Sequence, residues 1–279
     1  MPTPSPSTVS FDGQAPDFDL RAGLPAGVAQ RVAAALAELA PAGDGVILDL
    51  GAGTGQIGEH LAGGRSRYLG IDVSGPMLAV FRRKLGARAH GALVRADGGV
   101  PWPIASGRVK LVFSSRAAHL LPPAVLVEET LRVASPAGAL AVFGGVRSEP
   151  DSLRAVLRRE MRRLLAEHGV EARRAGDAQG RLAGALAERG GEVLPVRTAA
   201  SWTVVHRAGD ALAAWRAKSG LGGRAVTPEV QDSVLHELES WIRERYGSLD
   251  VARDATERYE LTAVRLPEFS KRTIGEEKE

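Results

Sequence analysis

Val46-Ile47-Leu48-Asp49-Leu50-Gly51-Ala52-Gly53-Thr54-Gly55-Gln56-Ile57-Gly58 is the stretch whose reading decides the fold. Val46 to Leu50 is a short, largely apolar run of the kind that forms a buried strand in a parallel sheet. Glycines follow at the alternate positions 51, 53 and 55, and a helical pattern begins near Gly55. Glycine serves where a chain turns sharply and lets a ligand lie against its backbone. A helix starting there aims its free N–H groups back at the same ligand. Strand, glycine turn and helix together read as a nucleotide-type binding loop.

Two frames fit that loop. Gly53-Thr54-Gly55-Gln56-Ile57-Gly58 satisfies G-x-G-x-x-G, the dinucleotide fingerprint, a weak match in a chain with 33 glycines. The other frame is Asp49-x-Gly51-x-Gly53-x-Gly55, with an acid two residues ahead of the first glycine. It resembles motif I of the class I S-adenosylmethionine-dependent methyltransferases. An acid in that place suits a ligand carrying an ammonium and a sulfonium and repels a pyrophosphate. The second frame is therefore favoured.

The following segments extend the resemblance. Ile57 and Leu61 carry the helix on to Gly63-Gly64. Arg67 to Asp72 reads as a second strand closing on an acid, which in either frame accepts hydrogen bonds from ribose hydroxyls. Ser74 caps a helix with Pro76 in its first turn, and Met77, Val80, Phe81 and Leu85 form its apolar stripe. Ala92 to Asp97 reads as the third strand; its Ala96-Asp97 ending resembles the family's adenine-recognition site. Val109 to Leu121 supplies the fourth strand, ending near Ser114, and a short polar stretch containing His119. This phrase resembles the ubiquinone-biosynthesis-like (type 11) small-molecule branch, where a similar serine-to-histidine segment faces the donor methyl. Such strands often begin with aspartate, and here Lys110 stands in its place. A helix over Pro123 to Val133 and a turn lead into a fifth buried strand, Ala139 to Phe143. The resemblance thus spans Val46 to Gly145.

What the resemblance implies is specific. S-adenosylmethionine is the expected cofactor and S-adenosylhomocysteine its product. Asp49, Gly51, Ala52, Gly53, Thr54 and Gly55 are expected to hold its methionine part, Asp72 and Val73 the ribose, Met77, Ala96 and Asp97 the adenine. Ser114 and Ser115 would complete the cofactor site, their carbonyls facing the amine. The phrase from Phe11 to Arg21 resembles the N-terminal segment that many such enzymes lay across the pocket. Phe18, Arg21, Arg116 and His119 are then the substrate-side candidates. His119 is also the candidate general base, because histidine titrates near neutral pH.

The second half carries fewer signals. Asp151 to His168 reads as a long helix with an apolar side and an arginine-crowded side: Arg154, Arg158, Arg159, Arg162 and Arg163. Such a stripe can hold nucleic-acid phosphates, but Glu160 and Glu167 interrupt it, which fits a solvated face better. Leu182 to Glu188, Ala211 to Lys218 and Pro228 to Tyr246 are further helices; Val193 to Val205 and Tyr259 to Val264 are the expected last strands, the final one returning to the sheet edge. Trp215 and Trp241 fall in this region and read as packing residues.

The expected fold class is α/β: a Rossmann-like, seven-stranded, mostly parallel sheet with helices on both faces and an inserted helical lid. Residues 1–147 would form the cofactor-binding core with its N-terminal cap, 148–266 the lid insertions and the last two strands, and 267–279 a charged tail. With no cysteine and six scattered histidines, no metal site is expected. No apolar run approaches the roughly 20 residues of a membrane span, and the Pro- and Ser-rich start lacks the regions of a signal peptide, so a cytoplasmic protein is expected. The net charge of +3 permits an anionic partner without requiring one. The expected function is methyl transfer to a small-molecule O, N or C nucleophile. The alternatives are a NAD-type oxidoreductase, a cofactor-binding protein without methyl transfer (a regulator or cyclase), and RNA methylation.

Overall fold

The structure, a computed structural model, describes residues 18–268 other than 65, 87–90, 173–177 and 219, together with Asp12 and Ala15. The leader from Met1 to Phe11, the tail from Lys271, and the side chain of Arg21 lie outside the described residues.

The elements are helices α1 (Phe18–Ala22) and α2 (Val28–Leu39), strand β1 (Val46–Leu50), α3 (Gly58–Ala62), β2 (Arg67–Asp72), α4 (Gly75–Leu85), β3 (Gly91–Arg95) and β4 (Val109–Ser115). A 3-10 turn, Ala118–Leu120, leads to α5 (Pro123–Val133) and β5 (Leu140–Ser148). Then come α6 (Leu153–Glu167), α7 (Ala178–Ala187), β6 (Glu192–Val193), β7 (Arg197–Arg207), α8 (Ala208–Arg216), α9 (Pro228–Tyr246) and β8 (Ala252–Arg265).

The strands form one eight-stranded sheet in the order β3-β2-β1-β4-β5-β8-β6, with β7 paired to β8. Pairs β3-β2, β2-β1, β1-β4 and β4-β5 are parallel. The fold is the expected Rossmann-like α/β class, with two differences. The single strand expected over Val193 to Val205 is two, β6 and β7. The last strand lies between β5 and β6 rather than at the edge, where its alternating inward residues from Ala255 to Ala263 are buried.

The chain divides into two compact units. The first comprises the described residues of Met1–Gly145, Asp177–Ala200 and Tyr259–Glu279. In its core Leu48, Leu50, Val112, Phe143 and Val264 are buried beside helix residues such as Leu126 and Leu186. The second comprises Val146–Gly176 and Ser201–Arg258 and has its own core. There the apolar faces of α6, α8 and α9 meet through Leu157, Leu165, Leu212, Trp215, Leu235 and Leu238, with Trp241 partly buried against them. Both tryptophans pack, as the sequence indicates.

Lys110 shows what became of the departure in β4. It is buried, its amine donates to the Gly43 carbonyl at 3.1 Å, and its stem lies against Gly45. The charge reaches the end of the sheet opposite the glycine loop, away from the site.

Candidate active site

Parallel register brings the C-terminal ends of β1, β2, β3 and β4 to one edge of the sheet: Asp49 lies opposite Gly70 and Phe113, and Asp72 opposite Arg95. From β1 the chain winds outward through β2 and β3, then returns to the other side of β1 with β4. Ligands of open parallel sheets bind at such a reversal, beyond the strands' carboxyl ends. A cavity opens there. Its wall runs from Asp49 through Ile57 apart from Gly55, then takes in residues 71–73, Met77, residues 96–98, residues 115–117, Leu120, Leu121 and Phe18.

The glycine loop is shaped by contacts as much as by dihedral angles. Gly51 and Ala52 both donate to the Ile71 carbonyl, at 2.8 and 3.0 Å, which ties the loop to the end of β2. Gly51 (φ +77°) leaves no room for a side chain: a Cβ there would sit 2.3 Å from Cβ of Ala117. Gly53 (φ +56°) differs, since the nearest atom to its imagined Cβ, beyond its chain neighbours, is 4.0 Å away. That open side is where a ligand can reach the backbone. Helix α3 begins at Gly58 rather than near Gly55; residues 51–57 are turns, and the cavity is lined by the loop instead of a long helix's first turn. Gly58 itself lies beneath Tyr68 and Phe81, so close that a Cβ would fall 2.2 Å from the Tyr68 oxygen. It serves helix-to-strand packing, which accounts for the dinucleotide-like spacing.

Asp49 is the most informative residue. It is 3% exposed, one carboxylate oxygen accepts from the Tyr68 hydroxyl at 2.7 Å, and the other has no partner among the described residues. Burial, reinforced by the nearby Asp72 charge and opposed by the Tyr68 hydrogen bond, pushes its pKa up to about 7. A buried, unpaired carboxylate oxygen is costly unless something cationic or donating meets it. An amino-acid ammonium satisfies that need and a pyrophosphate does not. Asp72 is held by two backbone donors, Gly53 and Ser74, each at 2.8 Å. Burial still raises its pKa, with those amides opposing the shift. Asp97 is fixed by the Gly99 amide at 2.7 Å. The following loop is pinned through Trp102, whose amide donates to Glu129 and whose indole donates to the Gly98 carbonyl. Arg132 grips the same Glu129 and holds its carboxyl below the usual range, with the Trp102 amide helping against burial.

Residues 47–138 match the family model of the methyltransferase domain. Over that stretch the chain is similar to a methyltransferase domain. Similar folds occur in a protein of Bacillus halodurans designated a methyltransferase (18% identity, 84% of this chain and 98% of that one, TM-score 0.53). Another is a SAM-dependent methyltransferase of Aquifex aeolicus (12%, 93% and 100%, TM-score 0.50). A third is the phosphoethanolamine N-methyltransferase 2 of Haemonchus contortus, solved with phosphomonomethylethanolamine and S-adenosylhomocysteine (16%, 92% and 58%, TM-score 0.50). At these identities the likeness is one of fold. No curated protein matches the chain in sequence.

Around this cavity most of the expected site residues converge. Asp49, Gly51, Ala52, Gly53, Thr54, Asp72, Val73, Met77, Ala96, Asp97, Ser115, Arg116 and Phe18 all line the cavity. Three do not. Gly55 faces Phe81, 2.0 Å from its imagined Cβ, and acts only on the loop's shape. Ser114 is buried with its hydroxyl on the Leu50 carbonyl at 2.8 Å, so the lining begins one residue later. His119 is exposed and absent from the lining, because the 3-10 turn presents Leu120 and Leu121 to the cavity instead. Arg21 lies in α1, its side chain outside the description.

Other residues emerge only in three dimensions. Asp19 accepts from Thr54 (2.5 Å), Gln56 (2.7 Å) and Lys84 (2.6 Å), which seats α1 and Phe18 against the loop. Burial would raise the Asp19 pKa, but hydrogen bonds from Lys84, Thr54 and Gln56 outweigh it and hold the carboxyl below the usual range. Gln56 also accepts from the Leu24 amide and Arg116. Tyr259, wholly buried, shares a 2.5 Å hydrogen bond with Ser115 behind the lining. Arg116 holds φ +58°, a left-handed conformation rare for a side-chain-bearing residue. Strain of that kind collects at functional sites.

Proposed function

We propose that this methyltransferase transfers the methyl group of S-adenosylmethionine to a small-molecule nucleophile. The observation that carries the reading is the buried, unpartnered oxygen of Asp49 in the wall of a cavity at the sheet's reversal point. When bound, S-adenosylmethionine supplies an electrophilic methyl carbon on a sulfonium. Asp49 and the open backbone of Gly53 would hold the methionine part, Asp72 the ribose hydroxyls and Asp97 the adenine amine. The residues' main work is positioning and water exclusion. Phe18, Ile71, Met77, Leu120 and Leu121 supply the apolar wall, and α1, fastened by Asp19, closes it on one side. His119, exposed off the lining, is not well placed to take the acceptor's proton; no histidine lines the cavity among the described residues. The acceptor is therefore a group already nucleophilic at working pH, or one whose proton leaves to solvent. The setting we propose is the cytoplasm, with which a cysteine-free sequence is compatible. No helix of the described residues is long and apolar enough to cross a membrane.

Calorimetric titration with S-adenosylhomocysteine, with NAD in parallel, tests the cofactor. Micromolar binding of the former, weakened at least tenfold in Asp72→Ala, is expected. Binding of NAD alone would overturn the reading. Consumption of labelled S-adenosylmethionine with a panel of small nucleophiles then separates a transferase from a protein that only binds the cofactor.

A further inference from the structure

In the second unit, α6 places Arg154, Arg158 and Arg162 at successive i, i+4 positions, on one line along the helix. Arg158 is only half-exposed. Lys218, just past α8, belongs to the same group: it and Arg158 each feel the charge of Arg154, and it feels Arg158 as well. Lys218 stands on a built turn. The buried Gln231 side chain donates to the carbonyls of Trp215 (3.2 Å), Arg216 (3.4 Å) and Lys218 (2.8 Å), and accepts from the Gly220 amide at 3.1 Å.

Among the described residues one carboxylate faces this cluster, and it is already engaged. Glu257 Oε1 accepts from Ser148 at 3.0 Å, lies 3.3 Å from Nε2 of His206, and meets Arg154 at 3.7 Å. No hydrogen bond or ion pair is found for Arg158, Arg162 or Lys218 side chains among the described residues. The four cations thus outnumber the carboxylate that Arg154 meets and whose charge Arg158 feels. Burial together with Arg154 and Arg162 lowers the Arg158 pKa to about 10, with Glu257 opposing, so the like-charge crowding is felt at the half-buried member.

The other arginines of the helix are differently disposed. Arg163 is paired to Glu160 and Glu167, and Arg159 donates to the Pro150 carbonyl. The excess positive charge is therefore a short row of two helical turns, Arg154, Arg158 and Arg162, with Lys218 beside it. Guanidinium forks match phosphate oxygens, and the excess charge calls for an anion of more than one negative charge.

We propose that Arg154, Arg158, Arg162 and Lys218 form a binding site for the phosphate or diphosphate group of a small molecule. A nucleic-acid backbone is the less suitable ligand, because its repeating single charges need a longer row of cations than two helical turns carry.

Titration of the full chain with inorganic pyrophosphate and with inorganic phosphate, at constant ionic strength, tests the site. The expected result is one pyrophosphate per chain at a Kd of about 1 mM or tighter, with phosphate weaker. Arg158→Met and, separately, the exposed Lys218→Met should each weaken it at least tenfold while leaving S-adenosylhomocysteine binding unchanged. Because Arg158→Met removes a crowded charge, its melting temperature should rise or hold. Should that variant fail to fold, Lys218→Met alone decides. No saturable binding, or binding indifferent to both substitutions, would overturn the proposal. So would single-stranded RNA binding that depends on these residues while pyrophosphate does not compete.

Discussion

Asp49 has to be neutral or paired, and the consequence can be read in pH. Its pKa in the folded chain is about 7 against an unfolded value of 3.8, so the folded state holds the extra proton between those values. Stability is then greatest at the acid end of that window and falls as pH rises through about 7. Asp49→Asn removes that loss and keeps an acceptor for Tyr68. Its melting temperature, relative to the parent's, should therefore be higher at pH 8 than at pH 5. Its affinity for S-adenosylhomocysteine should fall at least tenfold at pH 8, where the parent carboxylate is charged. The same difference in melting temperature at both pH values would show that Asp49 is not a buried charge. His119 is a contrasting residue. Exposed and off the lining, it should tolerate replacement: His119→Ala is expected to lower kcat by less than tenfold, about 1.4 kcal/mol in barrier. A larger fall would restore it as the base.

At the scale of elements, the glycine loop and α1 behave as one assembly. Gly53→Ala and Gly58→Ala separate its two functions. At Gly58 a methyl collides with Tyr68 and Phe81, and overpacking of that kind costs about 1–3 kcal/mol. At Gly53 the space is open, and the positive φ costs about 1 kcal/mol, but the methyl enters the ligand's side. The first variant should lose mainly stability in denaturant unfolding and the second mainly cofactor affinity; the reverse order would refute the division of labour. Asp19→Ala should release α1. The carboxyl is partly exposed, so the stability loss is about 1 kcal/mol, with a several-fold weaker S-adenosylhomocysteine Kd read by titration. Since the Asp19 pKa is depressed, this contribution is present above pH 3.8 and disappears as pH falls below it.

Across the whole molecule, what the sequence displayed was what is local. Strands β1 to β5 announce themselves as largely apolar runs, the first three with an acid at or near the end (Asp49, Asp72 and Asp97), and α5 and α9 begin with proline in the first turn and keep a 3.6-residue period. Where polar residues alternate with buried ones, as between Arg253 and Thr262, the strand's true length was masked. The site divides along the same line. Loop and strand-end residues were legible; Asp19, Gln56 and Tyr259 were not, since their partners lie 32 to 144 residues away. His119 lies off the lining because a step of one residue along a 3-10 turn changes which side chain faces the cavity. The first unit's core also has a global test. At 100 times its Kd, S-adenosylhomocysteine should stabilise that unit by about 2.7 kcal/mol. The slowest-exchanging amides of β1, β2 and β4 should then exchange about 100-fold more slowly; unchanged rates would place the ligand elsewhere.

The close approach of Gly51 to Ala117 bears on how this chain can diverge. The two loops leave space for one methyl group between them, and Ala117 holds it. A lineage cannot acquire a side chain at Gly51 first, since every such intermediate collides, and a change of Ala117 to anything larger closes the same gap from the other side. Drift at either position is therefore conditional on the other, and the permitted route to Gly51→Ala begins with Ala117→Gly.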